Sequence, residues 1–254
     1  MTLLLRALSA LLIVGTALAA EPAPRVEPAP AAAPKLLGRI EGDRYIAPGE
    51  AYSVPVPVLH GANATIMDNG EIVVFKDKVA TLLTIAAFPM PPVARWEFET
   101  TPAKDYLIAF FRDNILRDYV REFPGSTIES ARFLPEVFGG AMVAFTLLPE
   151  GSVFTPPAPR TPPGLVAKRG HFVFVREGRI YVLAVELAER ITRTADTAFT
   201  TAEEDQVLFD RLVTVLAAMR FGHDAGPAAK QTDDKGPGAG ADDPEAPTQN
   251  TPGN

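Results

Sequence analysis

The chain has 254 residues, no cysteine and a formal net charge of −7 at pH 7. Without cysteine, thiol catalysis, thiolate metal sites and lipid attachment at a cysteine are excluded. The acidic excess is uneven, because residues 222–254 carry six acidic side chains against two lysines, whereas residues 36–221 carry 23 acidic and 19 basic side chains. No segment concentrates the positive charge that binding to a phosphate backbone requires, so we expect no nucleic-acid partner.

Both ends of the chain differ in composition from its middle. Residues 1–19 combine Arg6 with an apolar run and the small-residue motif Ala17-Leu18-Ala19, which predicts a signal peptide, a periplasmic or secreted protein, and no transmembrane segment after cleavage. An uncleaved anchor is the alternative, since the run approaches the roughly 20 residues that span a bilayer. Residues 20–35 predict a Pro/Ala-rich linker, and residues 222–254 a disordered acidic tail without large apolar side chains.

Residues 36–221 therefore form the predicted folded domain, which is long enough to bury a core without disulfides. Its first half is dominated by strand patterns. Alternating or continuous apolar runs predict strands at residues 52–58, 64–67, 71–76 and 79–87, with a further short strand at 96–99. The turn Asp68-Asn69-Gly70 predicts a hairpin, because asparagine and glycine tolerate positive φ.

A helix is predicted to begin at Thr101-Pro102, where threonine can cap and proline has no N–H to leave unpaired. Its end is predicted at Phe123-Pro124-Gly125. An apolar face recurs at spacings of three and four residues, formed by Ile108, Phe111, Ile115 and Tyr119.

The second half predicts strands at residues 127–133 and 141–148 and then a clear hairpin. A two-residue loop at Glu177-Gly178 would place Phe174 opposite Tyr181 and Arg169 opposite Glu186. Both faces of this strand pair are apolar, so we expect the sheet to be covered on both sides.

The last helix is predicted to begin with a capping box formed by Thr201 and Glu204. Its buried stripe comprises Leu208, Leu212, Val215, Leu216 and Met219. Strands joined mostly by short turns, with helices in the middle and at the end, predict an α+β fold whose predominantly antiparallel β-sheet is flanked by helices.

The hairpin GHFVFVREGRIYVLAVELAER and the closing helix EEDQVLFDRLVTVLAAMRF resemble those of the PsbP-like and DcrB-like α/β/α sandwich proteins. The first hairpin and the helix from Pro102 fall in the expected order, so the resemblance covers about residues 45–221. It implies a fold that mostly lacks catalytic machinery, and it offers no catalytic residue to carry over. A proline-rich insertion and the acidic tail distinguish this chain from the short members of the group.

Residues typical of catalytic or metal sites are scattered. The three histidines, His60, His171 and His223, lack metal-ligand spacing, and neither a G-x-S-x-G motif nor a phosphate-binding loop is present. His171 could approach Glu186 diagonally, and we interpret the two as a strand-end polar cluster rather than as an acid/base pair. We therefore expect no catalytic residue, no metal and no cofactor.

The proline-rich insertion, residues 152–170, is the most suggestive segment, because loops of that length are commonly functional or mobile. Its candidate partner-binding residues are Phe154, Arg160, Lys168 and Arg169. A solvated insertion without function is the alternative interpretation.

The sequence thus predicts an exported, non-catalytic binding or accessory module of the bacterial envelope, whose partner is an envelope protein or a small molecule. One alternative is a cell-envelope hydrolase. Another is a lipid- or hydrophobe-binding protein, which would need a cavity between sheet and helix near Phe110, Phe111 and Phe174.

Overall fold

The computed structural model describes residues 36–58, 63–154, 164–192 and 199–222. The predicted signal peptide and linker, and the predicted acidic tail from residue 223 onward, lie outside the described residues, as do Arg160, His60 and His223. Within these ranges, no helix has both the length and the apolar character needed to cross a lipid bilayer.

The described residues contain eleven strands in two antiparallel sheets. In chain order the strands are β1 (Arg39–Glu41), β2 (Arg44–Ile46), β3 (Tyr52–Pro55), β4 (Thr65–Asp68), β5 (Ile72–Lys76), β6 (Leu82–Pro89), β7 (Thr127–Leu134), β8 (Ala141–Pro149), β9 (Val166–Arg176), β10 (Arg179–Glu186) and β11 (Arg220–Phe221). The small sheet has the order β1-β2-β3-β11, and the large sheet has the order β4-β5-β6-β10-β9-β8-β7.

Helices connect or follow these strands. They are α1 (Pro92–Thr100), α2 (Ala103–Phe110), a π-helical segment (Phe111–Leu116), α3 (Arg117–Glu122), α4 (Glu189–Thr192) and α5 (Thr201–Ala218), together with a short 3₁₀ turn at Pro48–Glu50. The predicted helix from Pro102 to Phe123 is therefore confirmed, with a wider π turn at its centre.

The β9–β10 hairpin has the predicted register. Phe174 lies opposite Tyr181, and Arg169 lies opposite Glu186. Glu177 and Gly178 have φ values of 50° and 68°. A two-residue type I′ hairpin loop requires positive φ at both of its residues. Register and turn chemistry thus agree, as the sequence predicted.

The large sheet is covered on both faces, which confirms the predicted α+β architecture of an antiparallel sheet flanked by helices. The small sheet and α5 pack on one face, where Leu208, Leu212 and Phe221 join the core. A Cβ atom at Gly170 would lie 3.0 Å from the Leu208 Cβ atom, so glycine lets α5 approach β9 closely. On the other face, α1, α2 and the π-helical segment contribute Phe98, Leu107 and Phe111 to a second core.

Some predicted elements differ from the structure in type or in where they begin. Residues 96–99 belong to α1 rather than to a strand, and Pro92 occupies a first-turn position of this helix, where a missing N–H costs nothing. β6 begins at Leu82 rather than at Val79, because the Asp77 carboxylate accepts hydrogen bonds from the N–H groups of residues 79, 80 and 81 and holds them in a turn. β9 begins at Val166, inside the predicted insertion.

Candidate functional site

A cavity of about 350 Å³ lies between the large sheet and the helical segment running from the π turn into α3. Its volume falls at the lower end of the range for small-molecule sites, roughly 300 to 1,000 Å³. The sheet contributes mainly apolar or small side chains, namely Ile72, Val74, Leu82, Thr84, Ala86, Val182 and Ala184. The helical side contributes Asn114, Ile115, Asp118, Tyr119, Glu122 and Phe123.

The cavity exists because small side chains meet in one row across the sheet. Val74 pairs with Thr84, Thr84 with Ala184, and Ala184 with His171. Since the side chains of Thr84 and Ala184 are both small, they leave a depression in the sheet surface at the centre of this row. Larger side chains at its two ends, Val74 and His171, stand on either side of the depression.

His171 and Tyr119 hold the helix over this row. The Tyr119 Oη atom lies 3.1 Å from the His171 Nε2 atom, and the Phe111 ring meets the imidazole edge to face at 5.2 Å. His171 is completely buried, and burial, followed by the positive charge of Arg169, lowers the pKa of His171 to about 3. The imidazole is therefore neutral near pH 7 and acts as a hydrogen-bonding group.

The other ring nitrogen of His171, Nδ1, is buried without a hydrogen bond of normal geometry to any described residue. Ala144 on β8 pairs with His171 on β9. Its backbone favours the protonated imidazole and so offsets part of the decrease in the pKa of His171. Because the pKa of His171 remains low, the imidazole brings no charge to the cavity.

Arg169 and Glu186 form a buried ion pair beside His171. The guanidinium donates from Nε to Glu186 Oε2 at 3.1 Å and from Nη2 to the Gly151 carbonyl at 3.0 Å. Ser152 Oγ donates to the same carboxylate at 2.6 Å, and the Val153 N–H donates to it at 3.2 Å. Because Glu186 is fully engaged and Arg169 is paired, the two together bring no net charge to the cavity.

Two further carboxylates, Asp118 and Glu122, line the cavity from α3. Burial raises the pKa of both groups. The structure records one ion pair for Asp118, a long 3.6 Å contact with Arg121, and none for Glu122 within the described ranges. By contrast, Asp68 on the opposite wall is bound by the N–H groups of residues 37, 38 and 70 and by Tyr45 Oη.

Three of the four predicted partner-binding residues, Phe154, Lys168 and Arg169, lie in the part of the chain that the structure describes, and they do not form one exposed surface. Phe154 is buried with Leu82 and Ala188. Lys168 and Arg169 lie in β9 rather than in a loop, and their side chains are 0% and 9% exposed. Of these three, only Arg169 reaches the cavity.

Lys168 points to the opposite face of the sheet from Arg169, as strand alternation requires. Its ammonium group contacts Glu129, lies 3.2 Å from Glu204 and lies 2.6 Å from Asp205. A buried lysine is stable when paired in this way. The expectation that this basic residue contacts a partner overlooked the carboxylates that β7 and α5 bring to it.

The predicted proximity of His171 and Glu186 is not a contact. The structure pairs the histidine with Tyr119 and the glutamate with Arg169. Within the described ranges, no group of three or more histidine, aspartate or glutamate side chains is arranged to hold a metal ion.

No protein-family model and no curated protein matches this sequence. Similar solved structures include the cyanobacterial PsbP protein (CyanoP) from Synechocystis sp. PCC 6803, with a TM-score of 0.42, 14% identity, and coverage of 73% of this chain and 99% of that chain. The Ran-binding protein Mog1p of Saccharomyces cerevisiae has a TM-score of 0.44 and 8% identity, covering 72% of this chain and 96% of that chain.

A protein from Bacteroides thetaiotaomicron is also similar, with a TM-score of 0.31 and 12% identity, and the comparison covers 74% of this chain and 51% of that one. The presence of a PsbP protein among these structures agrees with the resemblance predicted from the sequence. The likeness concerns the fold, and it carries no site residue over to this chain.

Most of the cavity could not be predicted from the sequence. Tyr119 was expected on a buried helix face, but its contact with His171 depends on where that helix crosses the sheet. The pairing of Thr84 with Ala184 joins β6 to β10, which lie about 100 residues apart in the chain. Small residues inside apolar strands were the available signal, and only the register between these strands places them together.

Proposed function

We propose that this chain is an exported, non-catalytic binding protein that holds a small, largely apolar molecule between the large sheet and α3. The observation that carries this proposal is the cavity over Thr84 and Ala184, whose lining is mostly apolar with a few convergent polar groups. Such a combination is typical of small-molecule sites. Export rests on the predicted signal peptide alone.

The driving force for binding is the removal of apolar surface from water, which contributes about 25 cal/mol per Å². Ile72, Ile115 and Val182 offer that surface to a ligand. The polar groups at the end of the cavity then fix the ligand's orientation.

The alternative of a cell-envelope hydrolase has less support from the geometry. A general base works best when its pKa lies near the working pH, whereas burial lowers the pKa of His171 to about 3. Ser152 donates its proton to the ion-paired Glu186, so the serine beside the cavity is not oriented by a histidine.

Docking of an envelope protein on Phe154, Lys168 and Arg169 also has less support. Phe154, Lys168 and Arg169 are buried in the folded chain. They stabilise β9 and its surroundings, and a protein partner would have to unfold this region to contact them.

Filling the cavity tests the proposal. The probe is N-phenyl-1-naphthylamine, a neutral apolar fluorophore, titrated into the full chain. Ala184→Phe places a ring over the row of small side chains, and Ala131→Phe makes the same change on an exposed position of β7. We expect saturable binding to the wild type, affinity at least about tenfold weaker in Ala184→Phe, and a change below about twofold in Ala131→Phe.

Circular dichroism and the unfolding midpoint check that both variants are folded. Equal binding by wild type and a folded Ala184→Phe variant would refute the proposed site. So would a wild-type chain that binds no apolar probe.

A further inference from the structure

The charges that line the cavity do not balance. Arg169 is neutralised by Glu186, and Asp68 is already held by backbone N–H groups and Tyr45. Asp118 and Glu122 are left as half-buried carboxylates facing the same space. The cavity therefore combines an apolar body with an excess of negative charge at one wall.

Neighbouring arginines compensate this charge only in part. The charges of Arg169 and Arg121 both act to lower the pKa of Glu122, but Arg169 is itself ion-paired with Glu186. Arg121 is 57% exposed on its side chain and lies 3.6 Å from Asp118, while Arg117 is exposed on the outer side of α3. Exposed ion pairs contribute little because water and salt screen them. A ligand that buries the two carboxylates further must supply positive charge of its own.

We propose that the molecule held in this cavity is a cationic amphiphile, whose protonated amine binds between Asp118 and Glu122 and whose hydrocarbon body covers Thr84 and Ala184. This inference rests on the proposed function. It adds the chemical class of the ligand and the two residues that select it.

The spacing of the two carboxylates suits one ammonium group. Residues four apart on a helix have Cβ atoms about 5 to 6 Å apart, and an ammonium has three N–H donors with which to bridge two acceptors. Charge-assisted hydrogen bonds of this kind are about twice as strong as neutral ones.

Other head groups fit less well. An anionic head would meet Asp118 and Glu122 as like charges, and the positive charge of Arg169 is already offset by the ion pair with Glu186. A neutral head would leave both carboxylates unpaired in a site from which the ligand excludes water, and such groups cost free energy.

A matched series of ligands tests this selectivity. Decylamine, decanol and decanoate have the same chain and differ in head-group charge at pH 7. Each is added below its micelle concentration to the full chain, and binding is measured by calorimetry and by displacement of N-phenyl-1-naphthylamine. We expect decylamine to bind roughly tenfold more tightly than decanol, with decanoate the weakest.

The double variant Asp118→Asn/Glu122→Gln removes both charges and keeps the side-chain shapes. We expect it to lose the preference for decylamine while its affinity for decanol changes by less than about twofold. The control variant Asp113→Asn/Glu99→Gln makes the same change of net charge at exposed positions of the π-helical segment and α1. It should keep the wild-type preference.

The outcomes separate the two proposals. If decanol binds the wild type as tightly as decylamine, and Ala184→Phe abolishes that binding, the cationic ligand is refuted and the apolar site stands. If the preference for the amine survives in the double variant, its assignment to Asp118 and Glu122 is wrong. If no member of the series binds, the proposed function fails as well.

Discussion

At the scale of single residues, β9 shows two ways of burying an ionisable side chain. Lys168 keeps its charge, because Glu129, Glu204 and Asp205 surround it on the α5 side of the sheet. His171, on the cavity side, loses its charge instead, because burial and Arg169 both disfavour the imidazolium. Each side chain avoids the cost of an unpaired buried charge.

The neutral His171 predicts how stability depends on pH. Burial lowers the pKa of this group in the folded chain to about 3 from the ordinary value of 6.5, so below pH 6.5 the unfolded chain binds a proton that the folded chain does not. The contribution of His171 to the free energy of unfolding is therefore fully present above pH 6.5. As the pH falls from 6.5 towards 3, the free energy of unfolding decreases by up to about 1.4 kcal/mol per pH unit.

Urea unfolding of wild type and His171→Gln between pH 7 and pH 4 measures this effect. Glutamine keeps a polar partner for Tyr119 but does not titrate, and the carboxylates common to both proteins cancel in the difference. We expect the free energy of unfolding of the wild type to fall more steeply with falling pH than that of the variant. Parallel curves would show that His171 titrates normally in the folded chain.

The sequence predicted the neighbours of these residues better than their burial. The two-residue loop at Glu177-Gly178 fixed the pairing of Arg169 with Glu186, because hairpin register is a local property. Whether Lys168 is exposed depends on Glu204, which lies 36 positions away on α5. Local patterns carry no information about that contact.

At the scale of elements, the start of α5 shows tertiary contacts choosing between two local solutions. The segment Thr200-Thr201-Ala202-Glu203-Glu204 contains two overlapping capping boxes. The structure uses Thr200 and Glu203, whose side chains each accept a hydrogen bond from the other's backbone N–H, at 3.3 and 2.8 Å. Glu204 instead pairs with Lys168 and Arg190, so the prediction of Thr201 as the cap is wrong by one residue.

This choice predicts different costs for two neighbouring substitutions. Thr200→Ala removes the cap and should lower the free energy of unfolding by about 1 kcal/mol. Thr201→Ala should change it by less than about 0.5 kcal/mol. The contact of Thr201 with Lys168 is made by the backbone carbonyl, which the substitution keeps. Chemical denaturation of both variants checks the assignment, and a larger loss in Thr201→Ala would restore the other capping box.

Elements made by local signals were predicted well, and elements made by distant pairing were not. The turn after β4 and the β9–β10 hairpin follow from their own residues. The two residues of β11 become a strand only by pairing with Tyr52 and Ser53, more than 160 positions earlier in the chain. The small sheet of which β3 and β11 are part was accordingly not predicted.

At the scale of the whole molecule, the two faces of the large sheet serve different purposes. Aromatic rings such as Phe172, Phe174 and Tyr181 fill the face below α5 and the small sheet. The opposite face has small side chains at its centre, and Tyr119 and Phe111 pack at His171 on one side of them. One face is therefore a packed core, and the other leaves space for a ligand.

The coverage of both faces could be predicted from the sequence, because β9 and β10 are apolar on both sides. The cavity could not, since it depends on the register of β6 with β10 and on the position of α3 over Thr84 and Ala184. A predicted fold class thus located the layers but did not reveal the site between them.

The most direct test of the central claim is to observe a bound ligand in contact with the cavity by nuclear magnetic resonance. With decylamine and the full chain, we predict intermolecular nuclear Overhauser effects between the decyl chain and the methyl groups of Ile115, Val182 and Ala184. Effects confined to exposed apolar side chains outside the cavity, such as Val93 on α1, would contradict the claim that this cavity is the binding site.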